Sequence, residues 1–406
     1  MAAASAFSSF FTYIHKDSLN NLYRYQYHGS DKSIVAKYLG QPFWSYVVEL
    51  MPRSVAPNML TLIGFVFMVI GFVLQYTYCP ELMGEAPSWV YNLLALFLFF
   101  YQTLDAIDGK QARRTNTAGP MGELFDHGCD AVTTTLLTIG TLTSMQVGGG
   151  VYATTFLLIM LTVFYVTQWD EYHTATLELW YLNVTEAQLF SMSMWVATGH
   201  YGIAFWLQTV QLFGFDILYR DLILVPSALL AIATGISSIW RVFRYCQDND
   251  RSFLQSLSKL TPVVLVIAVC AFWSKHSIID VMHSHIYTFL LIPGFLIPNL
   301  VGRTVVKRVC REELNVLPPL IYPLVIPVVI GVIAHYIPSL STETLQWLVW
   351  SERVFVGGYA AFSLVAYLVF ALSVIHSIST HLHIPVLRMP TPAERKESTR
   401  RREAAG

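Results

Sequence analysis

Residues 88–108, SWVYNLLALFLFFYQTLDAID, are apolar for most of their length and end in two aspartates. A helix of about 20 such residues can cross the hydrocarbon core of a lipid bilayer. The chain contains further apolar runs of this kind, at about 59–79, 125–146, 151–169, 187–210, 221–241, 260–274, 286–302, 317–337 and 355–378. Because a backbone inside a bilayer must satisfy its own hydrogen bonds, these runs predict about ten transmembrane helices.

The overall composition also indicates a membrane protein. Of the 406 residues, 54% are hydrophobic and 13% are charged, and the mean hydropathy is +0.50. Soluble globular proteins carry about 25% charged residues. We therefore expect an all-α polytopic integral membrane protein, with an interfacial helix in the aromatic and basic N-terminal segment. The polar residues 388–406 are predicted to be disordered.

The positive charges are distributed unevenly between the two ends of the predicted helices. With a cytosolic N-terminus, the loops on the far side lie near 80–87, 147–150, 211–220, 275–285 and 338–354, and their basic residues are Arg220, Lys275 and Arg353. This asymmetry predicts the cytosolic orientation of the N-terminus. The basic clusters at 241–251 and 303–311 are interpreted mainly as topology determinants, or alternatively as sites for anionic lipid headgroups or a phosphorylated substrate.

Four aspartates lie at the predicted cytosolic ends of the second and third helices. Asp105 and Asp108 are three residues apart, and Asp126 and Asp130 are four apart, so each pair shares one helix face. A short loop joins the two helices, which allows the two faces to meet. Charged side chains at membrane depth are costly and by default mark a functional site.

The crowding of these carboxylates predicts bound cations. Four carboxylates close together cannot all stay ionised without them. Oxygen ligands without cysteine favour Mg²⁺ or Mn²⁺, and two such ions suit the binding of a pyrophosphate. Arg113 can bind phosphate oxygens beside this face, where the small Gly109 allows close approach. A cation pathway in a transporter is the alternative.

The motif D-x2-DG-x2-AR-x8-G-x3-D-x3-D at 105–130 resembles the signature of the CDP-alcohol phosphotransferases. The stretches QARRTN at 111–116 and GELFDHG at 122–128 look like the eukaryotic choline and ethanolamine phosphotransferases in particular. The same is true of APNMLT at 56–61 and WDEYHT at 169–174. This motif-level resemblance extends from about residue 37 to residue 174.

The resemblance implies transfer of a phosphobase from CDP-choline or CDP-ethanolamine to diacylglycerol, with release of CMP. It implies two Mg²⁺ or Mn²⁺ ions, held by Asp105, Asp108, Asp126 and Asp130. It also implies contacts of Asn58, Glu123 and Arg113 with the CDP-alcohol, beside Gly109. A homodimer in the endoplasmic reticulum or Golgi membrane is expected, with the active site facing the cytosol and no nucleic-acid partner.

The domain boundaries follow from the same resemblance. We expect an N-terminal cytosolic or interfacial segment at 1–50 and the catalytic helices at 51–245. Further transmembrane helices are expected at 246–385, followed by a basic cytosolic tail at 386–406.

The resemblance assigns the general base to His127, and the residues themselves support this without excluding Asp130. Glu123, Asp126, His127 and Asp130 form one stripe along a helix, so Glu123 can orient the His127 ring. Asp130 is the usual base in family members without this histidine. An aspartate that binds metal is a weaker base, however, so we favour His127.

Two other functions are compatible with parts of this pattern. One is a related enzyme with a different alcohol acceptor, although the Glu123 and His127 pair and the ten-span length argue against it. The other is a divalent-cation transporter. A transporter predicts carboxylates near the bilayer midplane and inverted repeats, whereas these aspartates cluster at one predicted membrane face.

Overall fold

The computed structural model describes residues 13–26, 28–212, 214–314, 317–337 and 340–405. Residues 1–12 of the predicted N-terminal segment therefore lie outside the described residues. The longer helices are α1 (Gln41–Leu50), α2 (Pro57–Tyr78), α3 (Ser88–Arg114), α4 (Pro120–Ser144), α5 (Val151–Thr174), α6 (Val184–Tyr201), α7 (Asp221–Asp248), α8 (Thr261–His276), α9 (Ile286–Val309), α10 (Val325–Tyr336), α11 (Thr342–Leu382) and α12 (Pro392–Ala405).

The strands are few and short. Strand β1 (Gly29–Asp31) pairs in parallel with β2 (Leu177–Leu179), and β3 (Thr209–Leu212) pairs antiparallel with β4 (Phe215–Leu218). The predicted all-α class is thus confirmed.

Eight of the described helical segments are long and apolar enough to cross a membrane. They are α2, α3, α5, α7, α9, α11, the segment Phe253–His276 that contains α8, and the segment Pro319–Tyr336 that contains α10. Helices α4 and α6 account for the other two predicted runs but are less apolar. The polytopic membrane fold is therefore confirmed, whereas the number of ten spans stays a prediction.

Two predicted helix ends were wrong. The run predicted at 187–210 is helical only to Tyr201, because the chain turns at Gly202 with φ +74° and continues into the β3–β4 hairpin. The run predicted at 355–378 is the middle of α11, which has 41 residues. Its extra turns include Glu352, which belongs to the loop predicted at 338–354 but is buried in the fold.

The C-terminal end of α3 holds the N-terminal part of the chain in place. Arg114 donates hydrogen bonds to the carbonyl oxygens of Val48 (2.7 Å) and Met51 (2.8 Å), in and just after the last turn of α1. The fully buried Gln111 donates to the carbonyls of Pro52 (2.9 Å) and Val55 (3.1 Å). These bonds fix the loop that leads into α2, and so they place the first turn of α2 beside α3.

Helix α1 has the two-sided character expected of an interfacial helix. Trp44 and Val48 are buried, whereas Phe43, Tyr46 and Leu50 are exposed. An apolar face that the described residues leave exposed fits the boundary of a bilayer.

Helix α9 lies at the centre of the bundle, where it packs against α4, α5 and α11. Phe289, Leu290 and Ile292 on this helix are fully buried. A helix that is apolar on all sides must be covered on all sides. Its C-terminal end carries basic residues into this buried environment.

The prediction that the C-terminal tail is disordered was wrong, because Pro392–Ala405 form the helix α12. Thr391 and Glu394 form a reciprocal cap, in which each backbone N–H is bound by the other side chain (2.7 and 3.3 Å). Arg395 then donates to the carbonyl oxygen of Thr115 in the loop between α3 and α4 (3.1 Å). The cap and this long-range contact explain why a polar segment is ordered.

We predict that Glu352→Ala lowers the apparent melting temperature of the purified protein by about 5 °C or more. Glu352 is 1% exposed and accepts hydrogen bonds from Trp273 Nε1 (2.6 Å) and the Ile278 N–H (2.9 Å). Its removal leaves both donors unpaired. The matched control is Glu343→Ala in the exposed first turn of the same helix. Equal melting temperatures for the two variants would contradict the stabilising role of Glu352.

Candidate active site

Helices α3 and α4 bring three of the four predicted aspartates together. One carboxylate oxygen from each of Asp105, Asp108 and Asp126 lies within 4.8 Å of the other two. Asp105 Oδ1 and Asp126 Oδ1 are buried and have no hydrogen-bond partner among the described residues. Buried polar atoms are rarely left unpaired, so these oxygens indicate a site that can hold a ligand.

The fourth aspartate, Asp130, lies beside this trio. Its Oδ1 accepts a hydrogen bond from the hydroxyl of Tyr101, one turn before Asp105 on α3. Its charge is close enough to act on that of Asp105. The structure therefore groups Asp105, Asp108 and Asp126 tightly, with Asp130 as their neighbour.

Helix α2 supports the trio from the other side. The hydroxyl of Thr61 donates a hydrogen bond to Asp108 Oδ2, and both side chains are buried. A hydrogen bond of this kind fixes the direction in which the carboxylate points. This contact depends on the anchoring of the α2 N-terminus described above.

The trio fits a divalent cation. Its ligand atoms are all carboxylate oxygens, and two of them are buried without a partner. Mg²⁺ and Mn²⁺ prefer such ligands, whereas zinc sites are rich in His and Cys. The predicted use of these residues as metal ligands is therefore compatible with the geometry.

A second group lies one turn along α4. Ligand atoms of Glu123, His127 and Glu171 lie within 4.8 Å of one another, and the three residues are 9%, 7% and 1% exposed. His127 Nδ1 is 3.9 Å from Glu123 Oε1, which is near contact but not a hydrogen bond. Glu123 thus lies where it was predicted, beside the His127 ring.

Arg308 of α9 joins the two carboxylates of this group. It forms an ion pair with Glu123, and its Nη1 lies 3.1 Å from Glu171 Oε1. One guanidinium therefore neutralises part of the charge of two buried carboxylates from α4 and α5. The preceding residue on α5, Asp170, is paired in the same way with Arg241 of α7, whose Nε is 2.7 Å from Asp170 Oδ2.

Sequence reasoning missed Arg308 and Tyr101 as parts of the site. Arg308 belongs to a basic cluster that was interpreted as a topology determinant, and no local pattern separates it from its neighbours. Glu171 entered the sequence analysis only as part of the WDEYHT stretch at 169–174, with no role of its own. The sequence signal that could have identified it is a carboxylate two residues beyond the end of the predicted apolar run at 151–169.

The remaining predicted residues lie around the same end of α3 and α4. Asn58 is 8% exposed and donates to the carbonyl oxygen of Val386 (3.1 Å), and its Oδ1 faces Gly122. Arg113 is exposed, and its Nη1 would lie 3.5 Å from a Cβ atom added at Gly109. Lys110, on the same helix, donates to Gln41 Oε1 of α1 (2.7 Å).

Comparison with known proteins gives a consistent result. Residues 54–214 match the family model described as CDP-alcohol phosphatidyltransferase. Choline/ethanolaminephosphotransferase 1 of Arabidopsis thaliana is 32% identical over 392 residues, which cover 93% of this chain and 98% of that protein. Cholinephosphotransferase 1 of Danio rerio is 33% identical over 285 residues, 68% of this chain and 73% of the relative.

A third relative has no assigned activity in its name. Uncharacterized CDP-alcohol phosphatidyltransferase class-I family protein 1 of Dictyostelium discoideum is 33% identical over 314 residues, 76% of this chain and 81% of the relative. The matched region contains the aspartate trio, Asp130, Glu123 and His127, and the similarity extends over most of the chain. The chain therefore belongs to the CDP-alcohol phosphatidyltransferase family.

Proposed function

We propose that this protein transfers phosphocholine or phosphoethanolamine from CDP-choline or CDP-ethanolamine to diacylglycerol and releases CMP. The single observation that carries the proposal is that α4 contributes residues to two groups: the carboxylate trio and the Glu123–His127–Glu171 group. The first group fits the binding of a charged diphosphate through cations, and the second contains a candidate base. The names of two relatives support the choice of headgroup and acceptor.

In this proposal the four aspartates hold two divalent cations, Mg²⁺ or Mn²⁺. When bound, such ions neutralise the diphosphate and stabilise the charge that develops on the leaving CMP. Thr61 holds Asp108 and Tyr101 holds Asp130, so two of the four carboxylates are already oriented by neighbouring hydroxyl groups. Asn58, Arg113 and Gly109 surround the same end of the helices and would contact the nucleotide.

His127 is the proposed general base. The hydroxyl oxygen of diacylglycerol attacks the β-phosphorus while its proton passes to the imidazole of His127. The bond from the β-phosphorus to the oxygen shared with CMP then breaks, and CMP leaves with that oxygen. His127 Nδ1 is the ring nitrogen that faces Glu123 Oε1, at 3.9 Å, so the carboxylate can hold the ring while the other nitrogen, Nε2, takes the proton.

Arg308 is the proposed positioning residue for this base. Without the guanidinium, Glu123 and Glu171 would be two buried carboxylates close together, and their repulsion would favour separation. The ion pairs keep both carboxylates in place and hold Glu123 near His127. One oxygen of the rival base, Asp130, is already engaged by Tyr101, which supports His127 in this role.

The remaining parts of the proposal concern the cell. We place the protein in the endoplasmic reticulum or Golgi membrane as a homodimer, with the active site facing the cytosol. The uneven distribution of basic residues in the sequence supports this orientation.

The activity is tested with purified full-length protein, diacylglycerol and each of the two donors in turn. We expect Mg²⁺-dependent release of CMP with CDP-choline, CDP-ethanolamine or both, and formation of the matching phospholipid. Reactions of CDP-diacylglycerol with inositol or with glycerol phosphate as the acceptor serve as the comparison. Failure of both donors in the presence of Mg²⁺ and Mn²⁺ would overturn the proposal.

The metal site is tested by measuring Mn²⁺ binding directly, by electron paramagnetic resonance of the free ion. Asp105→Asn should weaken binding by about 100-fold or more, and Thr61→Val by about 10- to 100-fold, because loss of an orienting hydrogen bond has that effect on metal affinity. Thr77→Val at the exposed end of α2 is the matched control and should bind Mn²⁺ normally. Unchanged binding in Asp105→Asn would exclude the trio as a metal site.

The role of His127 is tested by the turnover of His127→Ala. We expect kcat to fall by about 10²- to 10⁴-fold, the usual contribution of a general base, while binding of Mn²⁺ and of the CDP-alcohol is retained. His335→Ala, at an exposed histidine of α10, is the control. Nearly full turnover of His127→Ala with intact nucleotide binding would assign the base to Asp130.

A further inference from the structure

A small cavity lies beside the C-terminal half of α9, and none of the predicted site residues lines it. Its volume is about 40 Å³, which holds about three water molecules or one group of the size of a phosphate. Its polar side is formed by Arg303 and Lys307, and its apolar walls include Leu300, Val306 and Pro318.

Arg303 is half-buried and lines this cavity. Its Nε donates to Asn299 Oδ1 (2.7 Å), and its guanidinium carbon lies 4.9 Å from the ring centre of Tyr13 and 5.6 Å from that of Phe370. Among the residues that the structure describes, no acidic side chain pairs with it. The segments outside the described ranges contain no Asp or Glu in the sequence, so they cannot supply one.

Lys307 differs from Arg303 because it has a counter-charge. It forms an ion pair with Glu312, just beyond the end of α9. Burial alone would raise the pKa of Glu312, but hydrogen bonds from Lys307 and from the His15 N–H lower it overall, so this carboxylate is ionised near neutral pH. Arg303 is thus the cation of the cavity that lacks a neutralising group.

The chemistry of the unmatched charge indicates the type of ligand. Stacking on aromatic rings offsets part of the cost of burying a guanidinium, but rings do not accept the remaining N–H groups as an anion does. The planar guanidinium binds phosphate through two parallel hydrogen bonds. Basic pockets between transmembrane helices are typical sites for phospholipid headgroups.

We propose that this cavity binds the phosphate group of an anionic phospholipid, with Arg303 as its main ligand. The volume is too small for a nucleotide, and the apolar walls favour an amphiphile over a free ion. The site is separate from the ion pairs of Arg308, because residues five apart on a helix point in directions about 140° apart. The two arginines of helix α9 thus serve different groups.

The test is lipid binding to the purified full-length protein in a neutral detergent, measured by native mass spectrometry. The wild-type protein should bind phosphatidylglycerol about tenfold or more tightly than the Arg303→Gln variant, as expected for loss of charge-assisted hydrogen bonds. Arg244→Gln, at an exposed arginine of α7, is the matched control and should bind like the wild type. A phosphate-free galactolipid with the same acyl chains should bind weakly to all three proteins.

Two further measurements keep the result interpretable. The melting temperature of each variant without lipid shows whether it is folded. If Arg303→Gln does not fold, Arg303→Lys takes its place, since it keeps the charge but loses the two-pronged geometry, and a several-fold loss of affinity is expected.

Three outcomes would overturn the proposal. The first is equal lipid binding by wild type and the Arg303 variant, and the second is equal binding of phosphatidylglycerol and galactolipid. The third is displacement of the lipid by inorganic phosphate at a similar concentration, which would identify the ligand as a free anion.

Discussion

The constraint on which this structure depends is the cost of burying carboxylates at the ends of helices in a membrane protein. Asp105, Asp108 and Asp126 meet within 4.8 Å, and Glu123 and Glu171 meet one turn away. Without compensation such groups would separate or lose their charge. Two features compensate these charges. Arg308 from α9 forms ion pairs with Glu123 and Glu171, and the aspartate trio fits divalent cations.

These two solutions share one helix, which makes the site a single unit. Helix α4 presents Asp126 to α3 and the adjacent His127 to α5 and α9, so a small rotation of α4 would disturb both groups. Helix α9 is held on all sides and brings Arg308 to a fixed position. The buried core therefore positions Arg308 beside Glu123, and the polar bonds at the end of α3 position the carboxylates.

The family match covers only part of this arrangement. Residues 54–214 include the carboxylates and His127, but Arg308 and the cavity around Arg303 come from the helices that follow. The C-terminal part of the chain consequently does more than span the membrane. It supplies the counter-charge of Glu123, the carbonyl of Val386 that binds Asn58, and the contact of Arg395 with the α3–α4 loop.

The sequence by itself determined the membrane fold, the helix faces and the group of acidic residues, because hydrophobic runs and three- and four-residue spacings are local properties. It did not predict the end of α6 or the length of α11, since a glycine turn and a buried Glu352 act against the hydropathy pattern. Only the tertiary structure selected Arg308 and Arg241 from basic clusters for burial. The pairing of each arginine with its carboxylate depends on contacts between helices far apart in the chain, and local residue spacing contains no information about those contacts.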